Sequence, residues 1–281
     1  MTIINPRFTQ EFYISNMAFL LAHYGRKQLA TYTNSLERAR ARNTTARIHA
    51  LRVSMKQLRT LLRLAEGTDT VTDAPSGPVR RLLALFKAAG ELRETQVSTA
   101  LVTTFEKLDP ADGTAYLAHL KRRRNKAAKA LRRALADGHA RDARKLGKYF
   151  ASVSTDRTHT QERRSARLYV DREMRKAMGH VRAGAHGDAL HDVRKHLKNA
   201  WHTLRLLKEA DTLTERQNAL LERLGGVQAG LGEWHDLQVV YEDLEKHEEQ
   251  DEVAFLKKAI GTILRSERTR LLREMKQVLE A

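Results

Sequence analysis

Residues 48 to 64 read "IHALRVSMKQLRTLLRL" and carry His49, Arg52, Lys56, Arg59 and Arg63 among leucines. At about 100° per residue, counting from His49, the five fall near 0°, 300°, 340°, 280° and 320°, one sector about 80° wide. Leu51, Met55, Leu58 and Leu62 lie between about 180° and 240°, so the cations border the apolar stripe instead of opposing it. A merely solvated face is expected opposite the core. These residue types suit oxyanions: arginine offers a planar fork of donors, lysine a point charge, and histidine a donor that gains a proton when an anion arrives.

A second stretch, "LHDVRKHLKNAWHTLRL" at 190 to 206, repeats the pattern without a gap. An offset of 142 residues pairs His49 with His191, Arg52 with Arg194, Lys56 with Lys198 and Arg63 with Arg205. Trp201 stands where Arg59 was, and His202 joins the second stripe at about 20°. The same offset lays "GELRETQV" (90 to 97) on "GEWHDLQV" (232 to 239), with Glu94 and Asp236 as matching acids that are expected to orient the arginines or to cap a bend. From His49 to Arg63 is about 21 Å of helix, a track and not a point. Like charges at these spacings repel, more so when partly desolvated, and a bound anion would offset that repulsion.

Long helices must carry such stripes. Four prolines in 281 residues leave little punctuation for a sheet, and clusters of Gly, Pro and Asp break the chain at "EGTDTVTDAPSGP" (66 to 78), "LDPADGT" (108 to 114) and "ADGHARD" (136 to 142). Helices are expected over Phe12 to Arg42, Thr45 to Ala65, Pro78 to Lys107 and Thr114 to Ala136, then near 158 to 183, 187 to 210, 213 to 247 and 250 to 279. The expected fold is all-α: two four-helix bundles from an internal duplication, residues 1–142 and 143–281, related by a pseudo-two-fold around a basic central cavity.

Composition narrows the chemistry. Lys and Arg number 51 against 34 Asp and Glu, a formal charge of +17, and the isoelectric point is near 10.3, so an anionic partner is expected. With no cysteine, thiol redox chemistry and thiolate metal sites are out. The opening "MTIINPRFTQEF" lacks the build of a signal peptide, and no apolar run reaches membrane-spanning length, so a cytoplasmic protein with no membrane partner is expected. His180, His186, His191, His196 and His202 are spaced wrongly for a metal, His196 lying about 140° from His191. No Walker loop, H-E-x-x-H or carboxylate metal cluster appears. No enzyme and no cofactor are therefore expected, with phosphoryl transfer through His49 or His191 an alternative.

His-x-x-Arg-x-x-x-Lys with a further Arg, duplicated and trailed each time by a Gly-x-x-x-Glu/Asp segment, resembles the conserved histidine α-helical domain, or CHAD, family over about residues 8 to 280. The resemblance implies two four-helix bundles around a basic cavity that binds inorganic polyphosphate, often with localisation to polyphosphate granules. It implies that role for His49, Arg52, Lys56, Arg63, His191, Arg194, Lys198 and Arg205, which Arg59 and His202 join by geometry. Arg93-Glu94 and His235-Asp236 depart from the family's usual Arg-Asp. Relatives are often fused to a triphosphate-processing domain, and a stand-alone binder is expected here.

"KRRRNKAAKALRR" (121 to 133) and "LRSERTRLLRE" (264 to 274) set Arg124 against Arg265 and Lys129 against Arg270, as cavity wall or solvated face. Nucleic acid is expected as a weaker, non-specific competitor, because the stripes offer one aromatic, Trp201, for stacking. Cationic neighbours should hold the histidines neutral until a polyanion arrives, so binding should strengthen as pH falls from about 8 to 6.

Overall fold

The computed structural model describes residues 20–66, 73–106, 114–136, 138–155, 157–185, 188–210, 212–247 and 253–280. Among these it is wholly helical: α1 (Leu20–Ala41), α2 (Thr45–Glu66), α3 (Ser76–Glu106), α4 (Thr114–Ala136), α5 (His139–Thr155), α6 (His159–Arg182), α7 (Asp188–Glu209), α8 (Glu215–Glu245) and α9 (Ala254–Glu280). Expected and observed ends of α2 to α4 and α6 to α9 agree within a few residues. Residues 12–19 of the expected first helix, residues 67–72 of the first break, residues 108–113 of the second, and His186 lie outside the described residues.

Helices α1 to α4 are answered in order by α6 to α9. In the first set α1 packs on α2, α2 on α3 and α3 on α4; in the second, α6 packs on α7, α7 on α8 and α8 on α9. Two apolar cores result. The first gathers Leu36, Ile48, Leu51, Met55, Leu58 and Leu85, and the second Val193, Leu197, Leu204, Leu224, Leu231 and Ile260, all essentially inaccessible to water. The cores interlock: Val102, Tyr116 and Leu120 belong to the second, while Tyr169 and Leu207 belong to the first. Burying an apolar side chain of this size contributes about 1.5–3 kcal/mol, so the stripes of α2 and α7 are fixed by their buried neighbours.

Local signals start and stop the elements. Thr158 and Thr214 each accept from the backbone N–H of a glutamine three residues on, Gln161 and Gln217, whose side chain accepts from the threonine's own N–H. Gly184, at φ 72°, closes α6 in a conformation that other residues rarely adopt.

Helix α5 departs from the expected plan. Its Leu146 and Phe150 sit one turn apart and join the first core, packing on α1 and α3. Asp142 in its first turn takes both forks of Arg81 from α3. The division expected between residues 142 and 143 therefore falls inside a helix that is built into the first core, and among the described residues the helices run four, one and four.

Candidate functional site

The two stripes meet where α2 crosses α7. Arg63 Nη1 donates to Asn199 Oδ1 at 2.9 Å across that crossing. Lys198 acts on Lys56, and Arg194 on Arg52, as a close like charge. Lys56 with Lys198, and Arg52 with Arg194, are the very pairs that the 142-residue offset matches. Equivalent positions that meet one another are what a two-fold relation of the two halves would produce.

Such a concentration of cations needs local support, and the two halves supply it differently. In the first, the ring of Phe86 on α3 takes the guanidinium of Arg52 on one approach and that of Arg59 on another, each 4.7 Å from its centroid. Arg52 Nη1 also donates to the Phe86 carbonyl at 3.3 Å. Gly90, one turn along α3, makes room for it: a methyl group there would lie 2.6 Å from Arg52 Nη1. In the second half Arg205 rests on the Trp201 ring at 4.9 Å. Arg194 instead has Asp236 of α8 as its favourable charge.

Charge and burial together set the protonation. Burial, then Lys198, Arg52 and Arg194, push Lys56 down to about 6. Burial and Arg194 push Lys198 down to about 8. His49, exposed at the rim, is lowered by partial desolvation and by Arg93, Lys56 and Arg52. His235 and His202 are pushed down to about 3, each by burial first and then by nearby cations. Asp236 is raised by burial, against the pull of Arg194 and Arg93.

The expected residues thus divide. His49, Arg52, Lys56, Lys198 and Arg194 form the centre, with Arg59, Arg63 and Arg205 along the same two helices. His191 lies with its ring 4.9 Å from that of His235. His202 is buried beneath the lysines, on a cavity of about 20 Å³ that it shares with Tyr24, Gln28, Gln57 and Thr60. That space suits a single water molecule. Arg124 and Lys129 on α4 and Arg265 and Arg270 on α9 are exposed. Arg270 is committed to Glu267 and Glu274 of its own helix, and Arg265 bonds Thr262.

Glu94 pairs with Arg123 at 3.2 Å, which reaches across to Asp243 of α8 at 2.6 Å. Asp236 acts on Arg194, and Glu94 on Arg52, as an opposite charge.

Four contributors escaped sequence reasoning. Arg93 and His235 were visible as a matched pair in the "GELRETQV" and "GEWHDLQV" segments, since both stand beside the acid that was singled out. Phe86 had no such signal. Neither did Glu173 of α6, which is wholly buried: its Oε2 accepts from Asn199 Nδ2 at 2.7 Å and lies 3.2 Å from His196 Nδ1. A chain Glu173–Asn199–Arg63 therefore ties a buried carboxylate to the end of the first stripe. Among the described residues, no group of His, Asp or Glu is arranged to hold a metal ion, and no helix is long and apolar enough to cross a membrane.

Comparison with known proteins places this geometry. The family described as CHAD domain matches residues 23–245. A crystal structure of the CHAD domain from the plant Ricinus communis superposes with a TM-score of 0.74 at 17% identity, covering 93% of this chain and 91% of that one. No match is found among curated proteins.

Proposed function

This chain belongs to the CHAD domain family, and from that premise we propose that it binds inorganic polyphosphate, without turning it over, along the paired stripes of α2 and α7. One observation carries the reading: equivalent cations from the two halves, Lys56 with Lys198 and Arg52 with Arg194, converge at one crossing. A site for a compact, singly charged anion needs no such duplication, whereas a polymer with a charge at every phosphate repays it. Each charge-assisted contact contributes about 1.5–3 kcal/mol at most, less where salt screens it. Affinity therefore rises with chain length. Such a binder would associate with polyphosphate granules in the cytoplasm.

The test is calorimetric titration with triphosphate and with long-chain polyphosphate at two salt concentrations, using the unaltered chain and a variant with Arg52, Lys56, Arg194 and Lys198 replaced by alanine. Tighter binding of the long chain, weakened by salt and abolished in the variant, is expected. Equal affinity for both lengths would remove the track. Displacement of long polyphosphate by duplex DNA at equal phosphate concentration would transfer the reading to nucleic acid, and phosphate release sensitive to His49→Ala would transfer it to an enzyme.

A further inference from the structure

Helix α4 carries eight Lys and Arg and no Asp or Glu. Counting from the buried Leu120 at about 100° per residue, Tyr116, Ala127, Leu131 and Leu135 lie within about 60° of it and face the core. Lys121, Arg122, Lys126, Lys129, Arg132 and Arg133 fall between about 100° and 240° on the opposite side, all exposed. Among the described residues none of these six has a carboxylate partner. Arg123, near 300°, turns away from them toward Glu94 and Asp243.

A solvated face explains exposure, but the duplicated helix shows that the fold does not need a single sign of charge here. At the 141-residue offset that matches Lys129 with Arg270, Lys126 stands where α9 has Glu267 and Arg133 stands where α9 has Glu274. In α9 both glutamates hold Arg270. In α4, Lys129 has a cation at each of those places, three residues before it and four after, spacings at which like charges repel. The first half thus forgoes two ion pairs that its own copy makes, and an anionic partner would offset the repulsion left behind.

The chemistry of the face selects among anionic partners. The exposed large apolar residues, Leu83, Leu168, Phe255 and Ile263, all lie on other helices, so α4 offers neither the apolar face that enters a lipid interface nor the buried anchors on which protein interfaces depend. Tyr116, the one aromatic ring of phenylalanine, tyrosine or tryptophan type on α4, is buried, so the face has no platform for unstacked bases. What it does offer is a row of cations about 18 Å long from Lys121 to Arg133, on a convex surface. A rigid duplex, with a phosphate charge every 1.7 Å or so of its axis, meets such a row along its length.

We propose that the outer face of α4 docks duplex nucleic acid through its phosphate backbone, without sequence preference and apart from the basin. The inference does not rest on polyphosphate binding. With both ligands bound, the protein tethers a polyphosphate chain to a duplex.

The test is fluorescence anisotropy of a short labelled duplex DNA with the full chain over a range of salt. Contact with about six phosphates gives a slope of log K against log salt near −5. A Lys126→Glu, Arg133→Glu variant copies the arrangement of α9. It should keep its helical circular dichroism and melting temperature, because Lys129 gains two ion pairs, while duplex affinity falls by at least about ten-fold and the slope shrinks by about 2. Arg273→Glu with Lys276→Glu makes the same change of net charge at exposed positions of α9 and should retain duplex binding, as should the variant with Arg52, Lys56, Arg194 and Lys198 replaced by alanine. Unchanged duplex affinity in the Lys126→Glu, Arg133→Glu variant, or an equal loss in the α9 variant, overturns the proposal. So does binding of vesicles containing phosphatidylglycerol that is lost in the α4 variant while duplex is not bound. Polyphosphate titration of the same samples separates the two readings: a chain that binds duplex through α4 and no polyphosphate removes only the polyphosphate reading, and the reverse removes only this one.

Discussion

Replacing Gly90 by alanine sets stability and binding against each other. Within a helix, alanine is favoured over glycine by about 0.8–1.0 kcal/mol, and Gly90 lies in the middle of α3. The added methyl would stand 2.6 Å from Arg52 Nη1, which is the far end of a flexible side chain and can swing away. Doing so breaks its 3.3 Å bond to the Phe86 carbonyl and its contact with the Phe86 ring, a loss of about 1 kcal/mol each for exposed examples. The two lost contacts outweigh the helix gain by about 1 kcal/mol, so the melting temperature should fall by only about 2–4 °C. Binding has no such compensation, because the displaced guanidinium leaves the basin and takes a contact of about 1.5–3 kcal/mol with it. That corresponds to roughly 10-fold to 150-fold weaker polyphosphate binding at low salt. Gly232→Ala is the control: it stands at the matching position of α8 with nothing within 4 Å, so it should raise the melting temperature and leave affinity unchanged. Calorimetric titration and thermal unfolding of both variants test this. Gly90→Ala binding as tightly as the unaltered chain would show that Arg52 does not touch the polyanion.

The pH response should follow the lysines. With Lys56 near 6 and Lys198 near 8, the unfolded chain binds more protons than the folded one between those values and the ordinary lysine range. Stability of the free protein should therefore rise with pH from about 6 to 9. A bound polyanion reverses the preference, so binding should strengthen toward pH 6 with proton uptake, read as a dependence of titration heat on the buffer's ionisation enthalpy. Asn199→Leu leaves the buried Glu173 carboxylate without its 2.7 Å donor and frees Arg63; a loss of about 1–3 kcal/mol in urea unfolding is expected, with weaker polyphosphate binding. Asp142→Asn should destabilise the first half by a similar amount at neutral pH. Because Arg81 holds the Asp142 carboxyl below its ordinary value, that difference should shrink as pH falls through the acid range.

Most of the helices were legible because Gly, Pro and Asp clusters separate long apolar-periodic segments: Thr45 to Glu66 and Thr114 to Ala136 were recognisable almost to the residue. Helix α5 was not, because its start overlaps a Gly-Asp turn signal at 136 to 142. The stripes were legible from periodicity, and their equivalence from the repeat. What periodicity cannot state is which side chains meet across helices. Phe86 lies in "RRLLALFKAAG", where nothing separates a core phenylalanine from a platform for guanidiniums. Glu173 lies in "VDREMRK", which reads as a solvated face until α7 brings His196 and Asn199 over it. The pH sensitivity was expected of the histidines, yet His202 and His235 fall too low to titrate between pH 6 and 8. That role passes to Lys56 and Lys198, which burial and neighbouring cations hold well below the ordinary lysine range.

The meeting of the stripes also links stability to binding. His49, Arg52, Lys56 and Arg63 each have a counterpart in the second half, and Arg52 and Lys56 feel theirs as like charges. Phe86, Trp201 and Asp236 soften the repulsion, and burial with the neighbouring cations lowers the pKa of Lys56. None of these removes the excess charge, so the empty protein holds unfavourable electrostatic energy at the α2–α7 crossing. A polyanion that binds there recovers that energy in addition to its own contacts, and it stabilises the folded state by RT ln(1 + [L]/Kd). The gain should be greatest for ligands that reach both Lys56 and Lys198 at once. A short anion occupying one stripe leaves the opposing stripe unneutralised, so length selectivity is a consequence of the symmetry itself and needs no further specificity pocket.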